Sequence, residues 1–203
     1  MAGGIWLSNF DYLSGDYSGA TKQIQEILRS EPLMWPGHWM MSQILLDEGQ
    51  LKEARVEGQK VLDQDPGNLV ATITLSYGQL TAGDVQGARA LLDKTNPGDK
   101  ENFRLRLARA VVDAREGKQR GPLDKEVLTY AEVNPFGTLA AAEYYALQDD
   151  AKNALDWLDR AVRGGDERME WFQRDPLLAS IRNHPRFKQI LDSIAFRRQQ
   201  RSH

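Results

Sequence analysis

The sequence predicts an all-α fold, a right-handed α-solenoid of about five helix pairs with a C-terminal helical cap. Three observations predict it. Glycines recur at Gly15, Gly49, Gly83 and Gly117, each 34 residues after the last. Five residues after the first three stand Ala20, Ala54 and Ala88, with Pro122 in the fourth such slot. Seven residues before each glycine stands a small residue: Ser8, Ser42, Ser76 or Ala110. A fifth copy with shortened spacing puts Ala142, Asp149 and Ala154 in the small, turn and alanine slots. The copies span residues 1–34, 35–68, 69–102, 103–134 and 135–165, and 166–203 form the cap.

Each element has a physical reason. Two helices of about 13 residues pack antiparallel only where their crossing point is free of bulk, and the small residue and the alanine supply that. The turn between them needs a left-handed residue, which glycine provides without a Cβ clash, and Asp16 or Asp84 just after it can cap the second helix. Pro32 and Pro66 then stop that helix. In the tail, Asp175-Pro176 and His184-Pro185 break the apolar pattern, predicting one helix around 167–174 and one or two between 176 and 197. Trp171, Phe172, Leu177, Leu178, Ile181, Phe187 and Ile190 recur there at helical spacing, as expected of a cap over the last repeat.

The segments GDYSGATKQIQEILRSEP, GQLKEARVEGQKVLDQDP and GDVQGARALLDKTNP resemble the tetratricopeptide repeat family, whose period and small-residue pattern they share. The fifth copy, AAAEYYALQDDAKNALDWLDRAV, places Tyr145, Ala154, Leu158 and Ala161 in the family's slots. The fourth departs: Arg106 and Arg109 occupy slots that are usually apolar, so a shifted helix register is expected there. The tail segment RDPLLASIRNHPRFKQIL is similar to the end of such repeat arrays in bacterial signalling proteins.

Composition narrows the function. With 26 Lys and Arg against 29 Asp and Glu, the net charge of -3 gives no global attraction to nucleic acid or to an anionic membrane. Cysteine is absent, which excludes disulfides, thiolate metal sites and a cysteine nucleophile. No apolar run approaches the length of a membrane span, and the first residues lack a basic, then apolar, leader, so a cytoplasmic chain is expected. His38, His184 and His203 lie far apart, DQDPGN at 63–68 reads as an inter-repeat turn, and GGDE at 164–167 reads as a helix stop followed by N-cap Asp166. No nucleophile elbow, phosphate loop or dinucleotide fingerprint occurs, so neither catalysis nor a cofactor is expected. Between Arg182 and His203 six Lys or Arg face Asp192 alone, but the rest of the chain offers no basic track, and nucleic acid is disfavoured.

The family resemblance implies a binding face made by the first helix of each pair. Its stripe contains Asn9 and Tyr12, Trp39 and Gln43, Ile73 and Tyr77, then Arg104, Leu107, Val111 and Arg115, and finally Phe136, Leu139 and Glu143. Aromatic and apolar anchors beside cationic positions suit a protein or peptide ligand with acidic residues. For Ile73, Leu107 and Leu139 the competing role is core packing. The carboxylate clamp of heat-shock co-chaperones is disfavoured, because its slots hold Ile5, Asn9, Met40, Val70 and Thr74, of which Asn9 alone matches; a start one copy later also fails. The expected function is a non-catalytic binding scaffold; the alternative is a regulatory or sensor module of a larger bacterial signalling protein with its effector domain upstream.

Overall fold

The computed structural model describes residues 2–96, 98, 99 and 102–201. These residues form five helix pairs and a helical tail, with no strand among them. The pairs are α1 (Ala2–Ser14) with α2 (Tyr17–Ser30), α3 (Trp35–Asp47) with α4 (Leu51–Gln64), α5 (Leu69–Thr81) with α6 (Val85–Asp93), α7 (Phe103–Arg115) with α8 (Lys125–Val133), and α9 (Pro135–Ala146) with α10 (Ala151–Arg163). The tail holds α11 (Met169–Arg174), a 3-10 helix (Pro176–Ile181) and α12 (Pro185–Arg201). The chain divides into two compact units, residues 1–101 and 102–203.

The turns follow from backbone sterics. Gly15, Gly49, Gly83 and Gly117 all have positive φ, and Asp149 fills the fifth slot at φ 59°. Aspartate is among the few side-chain-bearing residues that enter this region readily. In all five turns the next N–H reaches back five residues to a carbonyl, as from Asp16 to Asp11 (2.9 Å), Gln50 to Leu45 (2.8 Å) and Asp150 to Tyr145 (3.0 Å). This satisfies a carbonyl that the helix end would otherwise orphan. Asp16, Asp84 and Asp150 then cap α2, α6 and α10 by accepting from backbone N–H groups. Asn68, Asn102 and Asn134 do the same for α5, α7 and α9. A Cβ at Gly49 would meet nothing within 4 Å, so Gly49→Val tests conformation and not space. It is expected to lower stability by about 1 kcal/mol or more, read from thermal melts. An unchanged melting temperature would separate the turn from any glycine requirement.

Within the first unit the small residues do more than avoid a clash. Ser42 Oγ donates to the Ala54 carbonyl at 2.8 Å, and Ser76 Oγ repeats the contact on Ala88 at 2.9 Å. All four residues are buried, so each bond ties the two helices of a pair at their closest approach. Ser8 differs: its hydroxyl donates to the Gly4 carbonyl, 2.8 Å away, and lies 3.1 Å from Gln23 Oε1. The core around these crossings contains Tyr12, Ile24, Met40, Ile44, Val61 and Leu92. Buried Asp47 accepts from the Tyr12 and Tyr17 hydroxyls, joining α1 and α2 to the end of α3.

The fourth pair, in the second unit, shows why Pro122 could replace alanine. Helix α8 starts only at Lys125, and residues 116–124 form a longer connection. That connection lies on α9: Tyr144 Oη donates to the Gly121 carbonyl (2.9 Å), the Gly121 N–H donates to Gln148 Oε1 (2.6 Å), and the Leu123 N–H donates to Tyr145 Oη (3.3 Å). Burial pushes the Tyr144 phenol above its ordinary pKa. Arg106 sits in an apolar slot because it has carboxylate partners, Asp124 Oδ2 at 2.6 Å and Glu126 Oε2 at 2.9 Å, at the start of α8.

In the tail, Trp171, Phe172, Leu177, Leu178, Ile181, Phe187 and Ile190 are all buried, and the 3-10 helix and α12 pack on α9 and α10. The GGDE stretch behaves differently from its sequence reading. Gly165 takes φ 100° and the Asp166 N–H closes the α10 turn on the Ala161 carbonyl, yet Asp166 caps no helix. Its carboxylate accepts from Arg168 Nε (2.8 Å) and Nη2 (2.7 Å), with both side chains nearly sealed from solvent. A buried guanidinium needs a planar acceptor, and that requirement takes the side chain away from capping.

Candidate peptide-binding face

In the first unit the stripe falls on α1, α3 and α5, with α3 adjoining both of the others. Trp39 on α3 donates its indole N–H to Thr74 Oγ1 on α5 at 3.0 Å. Thr74 is buried, so the bond fixes the ring across the seam between the two helices. Trp39, Gln43, Ile73 and Tyr77 are half-buried and lie on these same helices at helical spacing. Asn9 on α1 is half-buried too, with its Oδ1 lacking a hydrogen-bond partner. Tyr12, which the stripe pattern also selects, is fully buried by its bond to Asp47.

The second unit presents fewer of the selected residues. Leu107, Val111, Leu139 and Glu143 are buried, because α7 and α9 pack closely against each other. Arg115 is exposed, and Phe136 and Arg104 are half-buried. Arg104 Nε donates to the Tyr130 hydroxyl on α8 at 3.0 Å, while the Tyr130 ring stacks near Phe103. Arg104 and Arg115 therefore stand at opposite ends of α7, with Leu107 and Val111 between them turned into the core.

The histidines and the basic tail have structural partners. His38 is buried; Nε2 donates to the Pro32 carbonyl at 2.8 Å and Nδ1 lies 2.6 Å from Glu57 Oε2. Burial would push the Glu57 carboxyl up, but hydrogen bonds from Lys60 and His38 outweigh it and hold the group below the ordinary carboxylate range. His184 Nδ1 accepts from the Arg186 N–H, and His203 lies outside the described residues. No cluster of His, Cys, Asp or Glu suited to a metal ion occurs among the described residues. Of the six basic residues in the tail, five have partners within the second unit. Arg182 donates to the Asp175 carbonyl and Arg186 to Asp156, Arg197 and Arg201 pair with Glu167, and Arg198 pairs with Glu170.

Sequence reasoning missed Thr74 as the anchor of Trp39 and Asp47 as the partner of Tyr12. The signal was present as a 35-residue separation in both pairs, one repeat plus one residue. No helix among the described residues is long and apolar enough to cross a membrane.

Paired antiparallel helices, left-handed turns at a fixed interval and small crossing residues define a helix-pair repeat protein. The family model described as tetratricopeptide repeat matches residues 45–112, from the end of α3 into α7, and supports a tetratricopeptide repeat assignment for that stretch. No curated protein and no solved structure matches it. Such repeats generally mediate protein–protein interaction, and the family is typically a non-catalytic scaffold.

Proposed function

We propose that the protein is a non-catalytic scaffold that binds a protein or peptide ligand on the α1, α3 and α5 face of its first unit. The observation that carries this reading is Trp39, a half-exposed aromatic side chain held by Thr74 beside Gln43, Ile73 and Tyr77. A rigid aromatic anchor flanked by an amide and apolar side chains is the arrangement in which binding energy concentrates. In the second unit, taken by itself, Arg104 and Arg115 are cationic positions on α7 that favour acidic residues in whatever that unit binds.

Capture experiments with the intact chain and a Trp39→Ala variant test the reading. Trp39→Ala is expected to weaken binding of the captured partner by about 2 kcal/mol at every salt concentration. Arg104→Ala combined with Arg115→Ala is expected to flatten the salt dependence of any binding that the second unit contributes by itself. Parental affinity in all three substitutions would move the site away from the first helices of the pairs.

A further inference from the structure

A second recessed surface lies in the first unit, away from the face described above. It encloses about 220 Å³ between α4, α5 and α6, and none of the stripe residues lines it. Its apolar part is Leu46, Leu51, Leu75 and Leu91. Leu46 and Leu75 are nearly sealed by their own packing, while Leu51 is 37% exposed. Gly78 makes the floor possible: a Cβ there would stand 2.7 Å from Leu46 Cδ2, so any larger residue would displace that leucine. A cavity of roughly 150 Å³ already admits a benzene ring, so this one has room for a leucine or phenylalanine side chain.

The rim has one sign of charge. Lys52 and Arg55 stand three residues apart on α4 and so share a side of that helix. Both are exposed, neither forms an ion pair with another described residue, and no carboxylate is among the groove's described lining residues. Gln79 on α5 adds a half-buried amide. An amide offers one donor group and one acceptor, which matches a peptide backbone and exceeds what a simple fatty carboxylate can use.

We propose that this groove is a second docking site, for a peptide segment of a protein partner that carries one apolar anchor side chain beside acidic residues. The anchor fills the space above Leu46 and Leu75, its carboxylate neighbours meet Lys52 and Arg55, and its backbone pairs with Gln79. The site is independent of the Trp39 face, so either can be occupied without the other.

A random peptide library selected on the full chain tests this, with counter-selection on a Lys52→Glu/Arg55→Glu variant. Both positions are exposed, so the variant is expected to fold as the parent does. The selected peptides are expected to combine Leu or Phe with Asp or Glu. Synthetic versions are expected to lose about tenfold or more in affinity for that variant, and similarly for Ala82→Trp, which fills the groove, while binding Trp39→Ala normally. The proposal is overturned if counter-selection leaves no enriched peptide. It is also overturned if the enriched peptides depend on Trp39 and not on Lys52 and Arg55, or if decanoate binds the groove when no peptide does.

Discussion

Removal of residues 166–203 is expected to leave the first unit helical and to cause the second to associate and melt at lower temperature. The cap is part of the core of that unit. Phe172, Leu178, Ile181 and Ile194 have no exposed surface, and Trp171, Leu177, Phe187 and Ile190 are each at most 5% exposed. Removing them returns the side chains of α9 and α10 that they cover to water, at about 1.5–3 kcal/mol for each large apolar side chain fully exposed. The exposed faces of α9 and α10 would then seek any apolar partner, including a second copy. Light scattering and circular dichroism on the truncated chain check this. A monomer that melts where the parent does would show that α11, the 3-10 helix and α12 add nothing to the repeats.

Arg168→Met is expected to lower stability by about 3–5 kcal/mol, the largest effect of any single substitution considered. Asp166 is fully buried and its carboxylate faces the Arg168 guanidinium at two hydrogen bonds. Truncating the arginine leaves a desolvated carboxylate, and the loss far exceeds the net worth of the pair itself. Replacing both partners, as in Asp166→Leu with Arg168→Met, is therefore expected to recover much of the loss. Denaturant titrations of the single and double variants make the comparison. A single variant within about 1 kcal/mol of the parent would show that water or a rearranged partner reaches Asp166.

What could be read ahead of the structure was what the backbone dictates locally. Gly15, Gly49, Gly83 and Gly117 announced their turns because left-handed geometry limits the residue type, and Asp149 was found only by counting from them. The connection over residues 116–124 escaped, since its partners Tyr144, Tyr145 and Gln148 lie 22 to 27 residues away and mark themselves by no local pattern. The binding stripe divided along the same line. Helical spacing assigns Trp39 with Gln43 to one side of α3 and Ile73 with Tyr77 to one side of α5, but it does not say how near the next helix comes. In the second unit α9 comes near enough to bury Leu107 and Val111, and in the first the demand of Asp47 for a donor buries Tyr12. The groove between α4 and α6 had one hint in the sequence, Gly78 inside an otherwise regular helix.

The docking of residues 116–124 onto α9 limits how interchangeable the repeats are. In the second and third pairs the serine-to-alanine-carbonyl link is the same bond in two places, and each pair is closed by its own turn. Exchanging or duplicating those pairs would preserve every junction of that kind. The fourth pair carries no such freedom, because its connection takes its hydrogen bonds from Tyr144, Tyr145 and Gln148 of the fifth. The two are therefore expected to be inherited together, since an insertion or deletion between α8 and α9 would break these bonds.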